Sequence, residues 1–419
     1  MTTFPIPVAK PMMDELEIEA VRRVVMSGWV TQGPEVAAFE NEFATFVGAR
    51  HACAVSNCTT ALHLALKVVG VEPGDEVVTV SNSFIATANA IRYCGAIPVF
   101  VDIEADGFNI DPASIEAAIS PRTKAILCVH QLGMPCDLAK IVPIAKRHGI
   151  ALVEDAACAS GSEILWDGRW EKIGKPHGDV ACFSFHPRKL LTTGDGGMLT
   201  TSNPDYDAKF RLWRQHGMSV PDTVRHGSTR VIFESYPELG YNYRLTDLQA
   251  AIGRVQLARL PELVSTRRRL AERYRDGLAR IPSVQAPVEP SWARSNWQSY
   301  CLRLSDGVDQ LKVMQTLLDQ GVSTRRGIMT IHREPAYAEV GSHRTVGRLP
   351  RSVAAQERSI ILPLYAQMTE MELATVLQQL CAICRAPSAD RVVMAGAVRM
   401  LALPAWLATM VENGAVFLA

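Results

Sequence analysis

Neither sign of charge is in excess in this chain. Its 419 residues include 43 lysines and arginines against 43 aspartates and glutamates. A nucleic-acid-binding protein would need a basic face, so this balance argues against nucleic acid as a partner. The densest basic cluster, the three arginines at 267–269, lies in a helical stretch of mixed charge. Such a cluster is typical of a solvated helix face.

Long apolar runs are also absent. The apolar segment 392–411 is interrupted by Arg399 and Pro404, whereas a membrane span needs about 20 apolar residues in succession. The first residues lack a basic region followed by an apolar core, so we expect no secretory signal and a cytoplasmic protein.

The ten cysteines are scattered, and several lie in apolar strand-like runs, where cysteine behaves as a small hydrophobe. The single C-x-x-C pair, Cys381 and Cys384, has no second pair at zinc-binding spacing. Neither a metal site nor a disulfide framework is therefore predicted.

What the sequence does contain is a regular alternation of helical and strand-like segments. Strands that alternate with helices predict an α/β fold, in which helices cover a mostly parallel sheet on both faces. Ligands bind such sheets at the carboxyl ends of the strands. Helices are predicted at 12–27, 34–47, 59–69, 85–94, 111–119 and 137–148, and strands at 76–80, 97–102, 125–130, 150–154, 179–185 and 198–201.

The second half of the chain has a different pattern. A long helical stretch, 246–281, should break at Pro261, and a strand at 300–304, a helix at 308–320 and a proline-flanked segment at 333–363 follow. We therefore predict three regions: a large domain at 1–260, a smaller α+β domain at 261–386, and a C-terminal extension at 387–419. We expect the extension to pack on the body or on a partner subunit.

The most informative residues lie at two predicted strand ends. Lys189 follows a buried strand that breaks at Pro187, and Asp155 closes an earlier strand. A lone lysine after a strand is usually an ordinary surface residue. An acid and a lysine at neighbouring strand ends, however, are what pyridoxal phosphate (PLP) requires, because the acid serves its pyridine nitrogen and the amine its aldehyde. We expect a partly desolvated, nucleophilic lysine.

Seven segments lie in order along the chain at 55–63, 84–90, 99–103, 130–137, 154–157, 183–189 and 240–244. Together they resemble the DegT/DnrJ/EryC1/StrS family of sugar aminotransferases, which belong to the fold-type I PLP enzymes. The resemblance extends from about residue 10 to 385. It implies the PLP transferase fold, with a large domain and a smaller α+β C-terminal domain.

The resemblance also implies roles for individual residues. Lys189 matches the lysine that bonds covalently to PLP and then moves a proton, and Asp155 matches the acid that keeps the pyridine nitrogen protonated. Thr59 and Thr60, at a predicted helix N-terminus, and the hydroxyl of Ser184 match the phosphate-binding groups.

Three further positions follow from the same resemblance. Phe84 matches the aromatic residue that stacks on the cofactor ring, although plain core packing is an equally good interpretation of it. Asn242 matches a residue that reaches the phosphate of the neighbouring subunit, which implies a homodimer with shared active sites. Cys158 stands where relatives often carry glutamine or histidine near the ring, and a thiol is a weaker hydrogen-bonding group.

The substrate-binding residues are less well defined. The candidates are His186, Arg244, Arg325 and His332. The segment 324–333 contains one histidine where many relatives show two, and it is rich in arginine. Arginines near the site would favour a substrate that carries a phosphate or carboxylate, whereas exposed loop charges are an equally good interpretation of each one.

We expect a transaminase that moves an amino group from L-glutamate or L-glutamine to a keto sugar in amino-sugar biosynthesis, and the resemblance implies that this sugar is nucleotide-linked. A keto-cyclitol of the inosose type is an alternative acceptor. A PLP-dependent sugar dehydratase is disfavoured, because relatives of that kind can carry histidine where this chain has Lys189. A non-catalytic regulator is disfavoured by the intact set of cofactor-binding residues.

Overall fold

The computed structural model describes residues 5–384, so the predicted extension at 387–419 lies outside the described residues. The strands are β1 (His51–Val55), β2 (Glu76–Val80), β3 (Ile97–Val101), β4 (Thr123–Val129), β5 (Ala151–Asp155), β6 (Glu163–Trp166), β7 (Arg169–Lys172), β8 (Val180–Ser184), β9 (Gly197–Thr201), β10 (Val284–Gln285), β11 (Ala293–Arg294), β12 (Tyr300–Leu304), β13 (Arg325–Arg326), β14 (Arg344–Thr345) and β15 (Ser359–Leu362).

The helices lie between these strands and at both ends of the described range. They are α1 (Glu15–Ser27), α2 (Pro34–Val47), α3 (Cys58–Val68), α4 (Ala86–Tyr93), α5 (Pro112–Ile115), α6 (Leu138–His148), α7 (Pro204–Trp213), α8 (Asp222–Gly227), α9 (Asp247–Leu278), α10 (Gln310–Asp319), α11 (Pro350–Arg358) and α12 (Glu370–Cys384). None of these is both long and apolar enough to cross a bilayer.

A large sheet of eight strands forms the centre of the molecule, in the order β1-β9-β8-β5-β4-β2-β3-β14. Only β9 runs antiparallel to its two neighbours, and the other pairs are parallel. The central strands are buried along almost their whole length because helices cover both faces. The predicted α/β fold with a mostly parallel mixed sheet is confirmed.

The register of the central strands determines what meets at the edge of the sheet. Val129 at the end of β4 pairs with Asp155 at the end of β5, and Asp155 pairs with Cys182 near the end of β8. The carboxyl ends of three neighbouring strands therefore lie side by side. This is the edge at which an open α/β sheet binds its ligand.

A second sheet, β10-β12-β15-β13, belongs to the C-terminal part of the described chain. Helices α9, α10 and α12 pack on it around buried side chains that include Tyr274, Tyr300 and Leu377. This is the α+β arrangement expected there. One short strand of the same region, β14, instead completes the edge of the large sheet beside β3.

The break predicted at Pro261 was wrong. Helix α9 runs unbroken for 32 residues with Pro261 inside it. Proline removes one helix hydrogen bond and crowds the preceding turn, but Leu260, Leu263 and Val264 on both sides of it are buried in the body. Packing of one helix face therefore outweighs the local cost of the proline. The division predicted at 260 and 261 falls inside this helix.

Candidate active site

A cavity of about 580 Å³ opens at the carboxyl ends of β4, β5 and β8. The large sheet forms its floor, the first turns of α3 and α4 form one side, and the segment 325–329 of the C-terminal region forms another. Eight of the residues predicted from the sequence line this cavity: Thr59, Phe84, Asp155, Cys158, Ser184, His186, Lys189 and Arg325.

Asp155 is a buried carboxylate at the base of the cavity. Its two oxygens accept hydrogen bonds from the Thr87 hydroxyl, at 2.9 Å, and from the Ala157 N–H, at 3.1 Å. Burial raises the pKa of Asp155, and these two hydrogen bonds and the charge of Lys189 offset only part of that effect. Among residues 5–384 the hydrogen-bond partners of Asp155 are these two uncharged groups. A cationic group in the cavity would therefore find a prepared counter-charge.

Lys189 lies in the turn that follows β8 and is half-buried. Its Nζ donates a hydrogen bond to Cys158 Sγ at 3.0 Å. Burial lowers the pKa of Lys189, but the contact with Cys158 and the charge of Asp155 outweigh burial, so the pKa is raised. The amine is therefore half-buried, while its raised pKa favours the ammonium form.

The N-terminus of α3 points to the same cavity, which Asn57, Cys58 and Thr59 line. The Asn57 side chain caps the helix by accepting from the Thr60 N–H at 3.0 Å. The N–H groups of Cys58 and Thr59 lie between Asn57 and Thr60, in the first turn, where a helix has no internal partners for them. Such a helix end binds anions through these donors and the helix dipole.

A glycine in β9 makes this arrangement possible. A Cβ atom at Gly197 would lie 2.5 Å from the Asn57 carbonyl carbon and 2.8 Å from the Cys58 nitrogen. Both are backbone atoms, so no side-chain rotation could relieve the contact. Gly197 therefore lets the strand approach the beginning of α3 closely enough to build the anion-binding end of the cavity.

Two more predicted residues are explained by their local contacts. Phe84 is 63% exposed at the mouth of the cavity, so it is a candidate ring contact and not part of the core. The His186 Nδ1 accepts the Arg188 N–H at 3.2 Å. Burial and the neighbouring Arg188 charge lower the pKa of His186, so the imidazole is neutral near pH 7.

Four predicted residues do not line the cavity of this chain. The Thr60 hydroxyl is used in the α3 cap, where it donates to the Asn57 carbonyl at 2.7 Å. The His332 Nδ1 lies 2.7 Å from the Ser81 hydroxyl, behind the end of β2. Asn242 is exposed and forms an isolated bridge with Gln215, and Arg244 is half-buried. The cavity of one chain is thus formed without them.

Some residues of the cavity were not predicted from the sequence. Arg188 and Arg326 line it as well as Arg325, so three arginines border the cavity. Gln131 and Gln298 also line it, and Thr87 supports Asp155 from α4. Of these, only Gln298 lies outside the segments that the sequence singled out, since the others fall within 84–90, 130–137, 183–189 and 324–333.

These residues fit pyridoxal phosphate. The buried carboxylate of Asp155 suits a protonated ring nitrogen, the Lys189 amine suits the aldehyde, and the beginning of α3 suits the phosphate. Among residues 5–384, no three histidine, cysteine or acidic side chains are grouped closely enough to hold a metal ion.

Comparison with known proteins agrees with this geometry. The model of the DegT/DnrJ/EryC1/StrS aminotransferase family matches residues 11–381. GDP-perosamine synthase of Caulobacter vibrioides is 39% identical over 379 residues, which are 90% of this chain and 97% of that protein.

Solved structures share the whole architecture. The aminotransferase TlmJ from Streptoalloteichus hindustanus superimposes with a TM-score of 0.82 at 36% identity, covering 90% of this chain and 98% of that one. Spr1654 from Streptococcus pneumoniae, in its PLP form, has a TM-score of 0.83 at 27% identity, covering 91% of this chain and 99% of that one. The chain described here therefore belongs to the DegT/DnrJ/EryC1/StrS aminotransferase family.

Proposed function

We propose that this aminotransferase moves an amino group from L-glutamate or L-glutamine to the carbonyl of a nucleotide-linked keto sugar, with PLP bound covalently to Lys189. The observation that carries the proposal is that Asp155, Lys189 and the N-terminus of α3 face one cavity. These groups match the ring nitrogen, the aldehyde and the phosphate of one cofactor. Bound PLP supplies the aldehyde that takes up the amino group and the ring that accepts electrons from the carbon losing its proton.

Each residue then has a distinct task. Asp155 holds a negative charge in a buried place, where its attraction for a protonated nitrogen is strong. Thr59 and Ser184 lie where they can donate hydrogen bonds to a phosphate. Phe84, at the mouth, can cover one ring face.

Lys189 also serves as the proton carrier. Its long, flexible stem allows the amine to move between nearby atoms once it is free. Cys158 and Asp155 raise the pKa of Lys189. This favours uptake of a proton by the free amine of Lys189. This is the behaviour needed of a group that takes a proton from one carbon and delivers it to another.

The cavity lining supports an acceptor that carries phosphate. Arg188, Arg325 and Arg326 supply guanidinium groups, which pair with phosphate in a bidentate manner. The relative GDP-perosamine synthase is likewise named after a nucleotide-linked amino sugar. A keto-cyclitol without phosphate would leave these charges unused, so it remains the second candidate.

We further propose a cytoplasmic homodimer whose cavities are each completed by the other subunit. Asn242 lies away from the cavity of its own chain. The neighbouring segment exposes large apolar side chains, with Val231 84%, Phe233 89% and Leu239 86% exposed. Exposed apolar groups of this size are typical of a surface that another protein covers.

A two-stage experiment tests the function. The PLP-loaded protein is mixed with L-glutamate or with L-glutamine, and loss of the visible cofactor band reports transfer to the cofactor. The aminated form is then offered nucleotide-linked keto sugars, free keto sugars and a keto-cyclitol, and return of the band identifies the acceptor.

We expect the band to return with a nucleotide-linked sugar and Lys189→Ala to be inactive in both stages. Return of the band with the cyclitol alone would contradict the proposed acceptor. Turnover by Lys189→Ala at the wild-type rate would contradict the mechanism.

A further inference from the structure

The backbone on both sides of Lys189 is held by one side chain from a distant part of the chain. The Gln298 Oε1 accepts a hydrogen bond from the Leu190 N–H at 3.1 Å, and its Nε2 donates to the Arg188 carbonyl at 2.5 Å. These groups belong to the residues immediately before and after Lys189. We call this pair of hydrogen bonds the Gln298 clamp.

The clamp needs the chemistry of an amide. A glutamine side chain offers one acceptor and one donor group at a fixed separation, whereas a carboxylate offers only acceptors and a methionine offers neither. Gln298 is only 8% exposed, so water is a poor substitute for it. Without it, a buried Leu190 N–H and the Arg188 carbonyl would lose their partners.

Gln298 is itself fixed by its neighbours. Its N–H donates to Asn296 Oδ1 at 2.8 Å, and its carbonyl accepts from Arg267 Nη1 at 3.0 Å. Arg267 also donates to the Trp297 carbonyl at 3.1 Å. Trp297 has a φ of +51°, a conformation that a side-chain-bearing residue keeps only when its surroundings hold it. Arg267 therefore holds the segment 296–298 from α9.

The same segment also holds Cys158. The Asn296 Nδ2 donates to the carbonyls of Cys158, at 2.9 Å, and Ser160, at 2.8 Å. The 3.0 Å contact between Lys189 Nζ and Cys158 Sγ thus joins two turns whose backbones are both held by 296–298. One short segment determines where the lysine and its thiol partner meet.

We propose that Gln298 is a positioning residue, which holds the turn around Lys189 so that its amine reaches the reacting atoms in one orientation. The proposal rests on the proposed function only in that Lys189 is the residue that reacts. The expected effect is on the reaction rate, because a reacting group that is misplaced by about 1 Å can lower the rate roughly 100-fold.

The test compares Gln298→Met with Gln256→Met in the full chain. Gln256 is also a fully buried glutamine, and its Nε2 donates to the Met12 carbonyl and to Glu17 Oε1, both at 2.7 Å. It belongs to α9 and contacts α1, outside the cavity lining. The control therefore removes a buried amide with no connection to Lys189.

The first readouts use protein without cofactor. We expect the Leu190 amide to exchange its hydrogen faster in Gln298→Met than in wild type. The rate at which added PLP becomes attached to Lys189, trapped by borohydride and measured by peptide mass, should fall about 10- to 100-fold. In Gln256→Met both values should equal those of wild type.

The second readout is steady-state kinetics of the loaded enzyme. We expect kcat to fall about 10- to 100-fold in Gln298→Met, with KM for the acceptor nearly unchanged. Gln298→Glu, which retains an acceptor for the Leu190 N–H but loses the donor to Arg188, should show a smaller fall in the Lys189 trapping rate. If Gln298→Met does not fold, Gln298→Glu provides the test on its own. The proposal then predicts that PLP is trapped on Lys189 more slowly in Gln298→Glu than in Gln256→Met.

Leu190 exchange and Lys189 trapping that are the same in Gln298→Met as in Gln256→Met would overturn the proposal. If the wild-type protein transaminates no acceptor, the proposed function fails. Hydrogen exchange at Leu190 and trapping of PLP on Lys189 in the cofactor-free protein still test whether the Gln298 clamp positions Lys189.

Discussion

Gly197→Ala tests the phosphate site with the smallest possible change. The added Cβ would lie 2.5 Å from the Asn57 carbonyl carbon, whereas ordinary contact begins at 3.4 Å. The beginning of α3 or the beginning of β9 must therefore move by nearly 1 Å. Overpacking of this kind costs about 1–3 kcal/mol of folding stability.

The shift should also weaken PLP binding. Charge-assisted hydrogen bonds contribute about 1.5–3 kcal/mol each, and 1.4 kcal/mol corresponds to a factor of ten. Loss of one such bond from Cys58 or Thr59 should therefore raise the PLP dissociation constant about 10- to 100-fold. Equilibrium titration of cofactor-free protein with PLP, well below the unfolding temperature, measures this.

Two alanine variants serve as controls. In Gly178→Ala the Cβ would lie 2.6 Å from the Leu152 carbonyl oxygen, at the amino ends of the strands, so the steric conflict is similar but far from the cavity. In Gly227→Ala the Cβ would have nothing within 4 Å. We expect Gly178→Ala to lose stability but bind PLP normally, and Gly227→Ala to change neither.

One outcome would contradict the placement of the phosphate at the beginning of α3. If Gly197→Ala loses as much stability as Gly178→Ala and still binds PLP with wild-type affinity, the beginning of α3 does not bind the phosphate.

Three further outcomes are expected. Asp155→Asn should keep some PLP binding but lose most of its turnover, because a neutral amide no longer favours a protonated ring nitrogen; an unchanged kcat would show that another acid serves. Mixing inactive Lys189→Ala and Asn242→Asp subunits should restore activity, because one cavity of a heterodimer then carries both defects and the other carries neither. If subunit exchange is demonstrated and activity does not recover, each cavity is formed by a single subunit. Cys158→Gln should keep or tighten PLP binding, because an amide is a better hydrogen-bonding group than a thiol; weaker PLP binding together with a raised acceptor KM would show that the site requires a small side chain.

Much of the secondary structure could be predicted because its signals are local. Helix α2 (Pro34–Val47) and strand β2 (Glu76–Val80) have the predicted bounds, since the spacing of apolar residues reflects the period of each element. The hairpin of β6 and β7 was missed although it carries a signal. Its turn contains Asp167 and Gly168, which both have positive φ angles, and Asp-Gly is a preferred pair for such two-residue turns.

The sequence by itself determined which residues could carry the chemistry: an acid and a lysine at the ends of buried strands, and a helix N-terminus at Thr59 and Thr60. Only the tertiary structure decided how they are supported. Thr87 reaches Asp155 across 68 positions of the chain, and Gln298 reaches the turn of Lys189 across more than 100. The tertiary structure also kept α9 continuous through Pro261 and raised the pKa of Lys189 where burial alone would lower it. The physical reason is the same in each case. Periodicity and capping depend on neighbours in sequence, whereas hydrogen bonds, burial and the balance of charges depend on groups that meet only when the chain is folded.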